Sequence, residues 1–136
     1  MQTLNVVFIG LMAMIATIDF KTLKVPAWSL CVLCILIALK GNFSPLDAIY
    51  GLALMMGSMF LSDFILKKET IGGGDLWLGT AMSAFMGFDR FLIAYTVAAL
   101  LGMIAMATIY RNQRSLDIAY VPYLAYGAFW AMFIAR

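Results

Sequence analysis

The fold is decided by residues 6–26, VVFIGLMAMIATIDFKTLKVP, in which a long apolar run ends at a single aspartate. Every residue of this stretch before Asp19 is apolar, small or hydroxyl-bearing. A basic turn with Lys21 and Lys24 follows, and Pro26 closes it in a position that suits the first turn of another helix. Because a helix needs about 20 mostly apolar residues to cross a bilayer, the run predicts a membrane-spanning helix that ends at Asp19.

The composition extends this prediction to the whole chain. The chain has 136 residues, of which 65% are hydrophobic and 12% are charged. Soluble domains are about 45–50% apolar and about 25% charged, and a soluble domain of this size could not bury so much apolar surface. We therefore expect a single transmembrane domain over residues 1–136, with the lipid bilayer as its solvent.

Charge, histidine and cysteine content exclude several classes of function. The net charge is +2 and the basic residues are scattered, which argues against nucleic acid as a partner. The absence of histidine excludes histidine metal ligation and histidine acid–base catalysis. Cys31 and Cys34 form a Cys-x-x-Cys without a second pair, whereas a structural zinc site usually needs four ligands. We expect both to be small buried hydrophobic residues.

Charged residues and Pro/Gly clusters divide the chain into six apolar stretches, which predict an all-α membrane bundle of about six transmembrane helices. Three stretches, the third, fifth and sixth, are long enough by themselves, and the others must extend into the flanking turns. Four spans with re-entrant segments are the alternative. The first stretch leads into a charged turn rather than a cleavage site, so we expect it to be retained. The stretches are 4–18, 25–39, 45–66, 76–87, 91–110 and 118–135.

Loop charges predict the orientation. With six spans, the turns near 19–24, 63–75 and 111–117 share one face, which carries six basic residues against three at the other end. The positive-inside rule places this face in the cytoplasm and both termini outside. The six are Lys21, Lys24, Lys67, Lys68, Arg111 and Arg114, and the three are Lys40, Arg90 and Arg136.

Small residues recur every four positions in the last three stretches. Lipid provides little hydrophobic drive for helix association, so close packing of small side chains must supply it. We expect these rows to form helix contacts, with chance recurrence in an Ala/Gly-rich chain as the alternative. The rows are Gly79, Ser83 and Gly87, then Ala94, Ala98 and Gly102, then Gly127, Ala131 and Ala135.

Of the seven carboxylates, Asp19 and Asp75 are the candidates for a functional site. Asp47 and Asp89 fall on the outer face, just inside turns, where helix capping explains them. Asp19 lies at the interfacial end of a span, where a carboxylate is partly desolvated. An ion pair with Lys21 or Lys24 is the simpler interpretation of Asp19.

Asp75 follows three consecutive glycines, Gly72, Gly73 and Gly74. Glycine permits backbone conformations closed to other residues and allows close approach. Irregular backbone at membrane depth is tolerated only when it is buried or lines a wet cavity. The run therefore indicates a glycine loop that delivers Asp75 to a cavity. A glycine hinge with Asp75 as helix N-cap is the alternative.

In the six-span topology Asp19 and Asp75 fall on the same face. Two carboxylates that share a site cannot both ionise cheaply, so one carries a proton and the other a negative charge. Such a pair can activate water and protonate a leaving amine, and it needs no cofactor and no metal. Asp75, at a helix N-terminus, is expected to be the more readily ionised, although the pair titrates as a unit.

Three segments resemble those of the prepilin peptidases. Residues 19–26 resemble the first catalytic segment, in which an aspartate ends the first helix and a basic turn follows. Residues 72–75 resemble the family's Gly-x-Gly-Asp, and residues 121–123 with Gly127 are similar to its Pro-Tyr segment before the last helix. The three occur in the family's order and spacing.

The resemblance implies a six-span aspartic endopeptidase of the inner or cytoplasmic membrane, with Asp19 and Asp75 catalytic on the cytoplasmic side. It implies removal of a short basic leader from type IV pilin-like precursors, just before their hydrophobic helix, in pilus biogenesis. The small size resembles the short branch that serves tight-adherence pili or archaeal flagellins and lacks the N-methyltransferase segment. The resemblance also implies a site shaped by Gly72, Gly73 and Gly74 and supported by Lys21, Lys24, Pro26, Pro122 and Tyr123.

Two departures from the family pattern and two other functions stay open. Ala27 stands where the family usually has asparagine, and Trp77 where lysine is frequent, so a divergent or inactive member is one alternative. A membrane transporter or assembly subunit would use Asp19 and Asp75 to bind a proton or cation. A presenilin-like protease would need a Tyr-Asp pair, and the chain has none.

Overall fold

The computed structural model describes residues 2–66, 72–108 and 119–133, and these form six α-helices without a strand. The prediction of an all-α membrane bundle is confirmed. Each helix matches one predicted stretch, with ends that differ by a few residues. In chain order they are α1 (Gln2–Thr22), α2 (Ala27–Lys40), α3 (Pro45–Leu66), α4 (Gly73–Met86), α5 (Phe88–Thr108) and α6 (Val121–Phe133).

Three of these helices, α1, α3 and α5, are long and apolar enough to cross a membrane. α2 and α4 have 14 residues each, which at 1.5 Å per residue is about 21 Å, against a hydrocarbon core of about 30 Å. The sequence indicated that the third, fifth and sixth stretches were long enough to span and that the first was short. α1 is longer than the first stretch because the helix continues past Asp19 to Thr22. α6 has 13 residues within the described part of the chain.

The outer surface of the bundle is apolar. Phe64 and Phe20 are 83% and 73% exposed, which would be unfavourable in water and suits contact with lipid. Cys31 and Cys34 are free and exposed. The prediction that they are buried is wrong, because an apolar side chain on the surface of a membrane bundle meets lipid and gains nothing from burial.

The interior is centred on α4, which packs against α2, α3 and α5, while α1 packs against α6 and α2. Phe8 of α1 and Phe85 of α4 stack with ring centroids 4.3 Å apart and planes 9° from parallel. The largest side chains around this pair with no exposed surface are Phe91, Met12, Ile15, Leu33, Met55, Leu78, Met82 and Leu124.

Small residues allow the helices to approach closely, as predicted for most of the rows. A methyl group at Gly127 of α6 would overlap the backbone of Ala94 in α5. Ser83 of α4 lies against Gly51 of α3, and its hydroxyl donates to the Asp47 carbonyl oxygen at 2.6 Å. Gly102 is an exception, since nothing lies within 4 Å of a methyl group placed there.

Two other members of the predicted rows of small residues, Gly87 and Ala135, do not lie within the described helices. Gly87 ends α4 with φ of 87° and donates its N–H to the Ser83 carbonyl oxygen at 2.9 Å, and Ala135 lies outside the described residues. At the same end of the bundle, the Lys40 ammonium donates to the carbonyl oxygen of Phe85. This contact satisfies a carbonyl in the last turn of α4 and fixes the end of α4 that is remote from Asp75.

Candidate active site

Asp19 lies in the last turn of α1, where the chain reverses direction. The N–H of Leu23 donates to the Asp19 carbonyl oxygen at 2.7 Å, and Leu23 has φ of 54°, in the left-handed region. The helix therefore stops one turn after Asp19. The Asp19 side chain is only 4% exposed, so it points into the bundle and not along the interface.

The Asp19 carboxylate accepts a hydrogen bond from the backbone N–H of Val121, with 3.3 Å between nitrogen and oxygen. Val121 is the first residue of α6. The first N–H groups of a helix have no partner within the helix, and the helix dipole favours a negative charge there. The N-terminus of α6 therefore offers the buried Asp19 carboxylate a hydrogen-bond donor.

The sequence around Val121 explains why α6 starts at this point. The carbonyl oxygen of Tyr120 accepts from the N–H groups of Tyr123 and Leu124 at 3.1 and 3.2 Å. Pro122 has no N–H, and in the first turn of a helix none is needed. Pro122 and Tyr123, which the sequence marked as supporting residues, thus act in the helix start that presents Val121 to Asp19.

Lys21 and Lys24 do not neutralise Asp19. Both side chains are exposed, and neither forms an ion pair within the described parts of the chain. The simpler interpretation of Asp19, as half of an interfacial ion pair, is therefore wrong for the residues that the structure describes. The two lysines instead give one end of the bundle a solvated positive charge.

Asp75 is the third residue of α4, and Gly72 is the N-cap. The Asp75 N–H donates to the Gly72 carbonyl oxygen at 3.0 Å, and the Asp75 carboxyl turns back to the Gly72 backbone N–H. This is the carboxylate half of a capping box. The alternative that Asp75 is itself the N-cap is wrong, and the predicted glycine loop is in part helix, because Gly73 and Gly74 form the first turn of α4.

The glycine run before Asp75 allows close packing at Gly74 and does not require an unusual backbone conformation. Gly72 has φ of −71°, which any residue adopts. A methyl group on Gly74 would lie 3.0 Å from Cβ of Val25, whereas one on Gly73 would meet nothing within 4 Å. Gly74 therefore lets the N-terminus of α4 pack directly on the turn that follows Asp19.

Pro26 holds the other side of this contact. It is the N-cap of α2, with φ of −70° and ψ of 133°. Its carbonyl oxygen accepts from the N–H and the hydroxyl of Ser29 at 3.0 and 2.6 Å. The start of α2 is thereby fixed, and Val25, which directly precedes Pro26, is held against Gly74.

The result is that Asp19 and Asp75 meet at one end of the bundle, close enough to interact electrostatically. The sequence placed them on the same face, and the structure brings them into one site. Asp75 lies in the first turn of α4, and Asp19 accepts from the first N–H of α6, so each carboxyl has a helix N-terminus beside it. The assignment of Asp75 as the more readily ionised carboxyl stays a prediction.

Tyr120 is a member of the site that the sequence did not single out. Its hydroxyl oxygen is buried and lies close to Tyr95 and within electrostatic reach of Asp75. Burial, with smaller contributions from Tyr95 and Asp75, raises the pKa of Tyr120 above its ordinary range, so the hydroxyl keeps its proton. Its position directly before the Val121-Pro122-Tyr123 segment was the one available signal.

A shallow apolar cleft lies between α2 and α4. It is lined by Trp77, two residues after Asp75, by Ala81 one turn further, and by Leu30, Cys34 and Ile37 of α2. Trp77 is 58% exposed. Trp77 and Asp75 both lie in the first turns of α4, so the cleft opens at the same end of that helix as the aspartate site.

The chain matches the family model of the type IV leader peptidase family over residues 6–107. The chain belongs to this family. The family prediction made from the three sequence segments is thereby confirmed. Both aspartates fall within the matched residues, whereas the Val121-Pro122-Tyr123 segment lies beyond them.

One relative in this family is the prepilin leader peptidase/N-methyltransferase of Pectobacterium carotovorum subsp. carotovorum, which is 31% identical over 138 residues. The match covers 93% of this chain and 49% of the relative, so the chain spans about half the length of the protein it matches. No solved structure matches the chain.

Proposed function

We propose that this chain is a membrane aspartic endopeptidase that removes the leader peptide from type IV pilin-like precursors. Asp19 and Asp75 are its catalytic pair. One observation carries the proposal: in a chain of the leader peptidase family, two carboxyls from separate segments lie close enough to interact electrostatically at one end of the bundle, each beside a helix N-terminus.

The proposed chemistry is hydrolysis by one ionised and one protonated carboxyl. The ionised carboxylate takes a proton from water as the water oxygen bonds to the carbonyl carbon of the scissile peptide. The protonated carboxyl gives its proton to the peptide nitrogen as the carbon–nitrogen bond breaks. The new acid gains the hydroxyl and the new amine gains the hydrogen, and the two carboxyls have exchanged roles.

The backbone supports whichever carboxyl is charged. The Val121 N–H holds Asp19 in one orientation, and the Gly72 N–H does the same for Asp75. Burial of Asp19 keeps bulk water away, which strengthens the interaction between the pair.

The site is assigned to the cytoplasmic side of the inner or cytoplasmic membrane, in a six-span topology with both termini outside. The charges of Lys21 and Lys24 beside the site support this orientation. Lys67, Lys68, Arg111 and Arg114 belong to the same prediction, and they lie outside the described residues.

The substrate is assigned as a precursor with a basic leader followed by a hydrophobic helix. Beside the exposed Lys21 and Lys24, the carboxylates of Asp63 and the aspartate pair would provide the local contacts for a basic leader; Glu69 and Asp117 of the same prediction lie outside the described residues. The hydrophobic helix would lie in the cleft between α2 and α4, in contact with Trp77 and Ala81. In this position the bond that precedes the helix would lie at the end of α4 that carries Asp75.

Replacement of each aspartate by asparagine tests the function. Asparagine keeps the shape and most hydrogen bonds, so Asp19→Asn and Asp75→Asn should insert and fold normally but cleave precursor at least about 10²-fold more slowly. Asp47→Asn and Asp89→Asn, in the first turns of α3 and α5 at the opposite end, are the matched controls and should stay active.

The measurement is the rate of leader release from a purified precursor by full-length protein in detergent or bilayers. Because the two carboxyls act as a unit, the double variant should be no worse than either single one. Glutamate at either position should also be slow, since one added methylene displaces the carboxyl in a site that tolerates little misplacement. Normal cleavage by either asparagine variant would refute the protease assignment and favour proton or cation binding.

A further inference from the structure

The hydroxyl of Tyr120 is the one buried side-chain oxygen or nitrogen among the described residues that makes no hydrogen bond of normal geometry. The Tyr95 side chain is close by, with ring centroids 6.5 Å apart and an edge-on angle of 62°. Buried polar groups without a partner are rare in native proteins, and each one calls for a physical reason. A donor that the fold holds only loosely, beside Tyr95, and keeps next to a reactive site is one such reason.

Tyr120 lies near both halves of the aspartate site. Through its backbone it begins α6, because its carbonyl oxygen accepts from Tyr123 and Leu124, and the next N–H in the chain holds Asp19. Through its side chain it comes within electrostatic reach of Asp75. A donor in this position can be directed at the space that both carboxyls face.

We propose that the Tyr120 hydroxyl donates a hydrogen bond to the oxygen of the scissile carbonyl as that oxygen becomes negatively charged. The inference rests on the proposed function, since it assigns a third catalytic residue to the same reaction. When the water oxygen bonds to the carbonyl carbon, the carbonyl electron pair moves onto the oxygen. Tyr120 stabilises that charge without losing its proton, and the pair returns when the carbon–nitrogen bond breaks.

Physical chemistry favours this role over simple packing. A donor that is already desolvated and already positioned stabilises a developing oxyanion more strongly than water would, because it needs no reorganisation during the reaction. A phenol beside a carboxylate does not ionise at working pH, so it acts as a neutral donor. For packing alone, phenylalanine would fill the position as well and would leave no buried hydroxyl unpaired.

Tyr120→Phe is the test, because it removes the hydroxyl oxygen and keeps the ring. In full-length protein we expect kcat for precursor cleavage to fall by about 10- to 1000-fold, with KM within about twofold and an unchanged melting temperature. Tyr126→Phe is the matched control, since Tyr126 lies on α6, the helix that follows Tyr120, with half of its side chain exposed. It should cleave precursor as the unmodified protein does.

A second measurement separates transition-state contact from structure. A precursor peptide with a hydrated ketone at the scissile position mimics the tetrahedral intermediate, and Tyr120→Phe should bind it more weakly by the same factor as kcat/KM falls. Binding of an uncleavable amide analogue to the same variant should not change. A structural role would weaken both or neither.

The outcomes distinguish this inference from the proposed function. If Tyr120→Phe cleaves normally while Asp75→Asn is inactive, the inference is overturned and the protease assignment stands. A kcat loss in Tyr95→Phe and none in Tyr120→Phe also overturns it, since the donor is then Tyr95. If Asp75→Asn itself cleaves normally, the proposed function fails, whatever Tyr120→Phe does.

Discussion

Replacement of Gly127 by alanine probes the contact between α6 and α5 on which the aspartate site depends. A methyl group at Gly127 would lie 2.9 Å from the carbonyl carbon of Ala94 and even closer to its oxygen. Ordinary contact begins near 3.4 Å, so α6 must move outward by at least about 0.5 Å. The obstacle is backbone, which cannot rotate away as a side chain could.

Gly102→Ala is the matched control, because it is also a glycine-to-alanine change inside a helix but has nothing within 4 Å of the added methyl group. The gain in helix propensity, about 1 kcal/mol in either variant, cancels between them. Overpacking costs about 1 to 3 kcal/mol. Gly127→Ala should therefore be less stable than Gly102→Ala by that amount.

The assay is reversible unfolding of the purified proteins in mixed micelles, followed by helix content, together with the rate of precursor cleavage. Because α6 carries the Val121 N–H that is 3.3 Å from the Asp19 carboxylate, an outward shift should weaken this bond and slow cleavage beyond the effect on stability. Equal stability of the two variants would show that α5 and α6 do not pack at Gly127 and would refute this reasoning.

Three further predictions concern the site and its surroundings. Gly74→Ala should slow cleavage several-fold, because its methyl group presses on Val25 and moves Asp75, whereas Gly73→Ala should cleave at the normal rate; equal rates for the two would contradict the contact. Trp77→Ala should raise KM for a precursor that includes its hydrophobic helix and leave a soluble cut-site peptide unaffected, and the reverse pattern would argue against docking between α2 and α4. A single cysteine at Thr22, in a variant without the native cysteines, should resist impermeant thiol reagents in intact cells, and ready labelling would reverse the proposed orientation.

Much of the fold follows from the sequence because the relevant chemistry is local. The apolar composition requires a lipid solvent, and charged residues and glycines mark where apolar stretches end, so six helices could be placed to within a few residues. Asp19 and Asp75 could be assigned to one end by counting helices and basic residues. The segments around them also sufficed for the family, which the comparison with known proteins confirmed.

Only the tertiary structure decided which side of each helix faces the interior. In a soluble helix the apolar stripe identifies the buried face, but here both faces are apolar, so the exposure of Cys31 and Cys34 was not readable. The bond between Val121 and Asp19 and the approach of Tyr120 to Asp75 join residues far apart in the chain, through helix rotations set by contacts such as Gly127 on Ala94. Sequence patterns determine where each helix begins and ends, whereas such rotations depend on packing between helices, and that packing is what makes two separate aspartates one site.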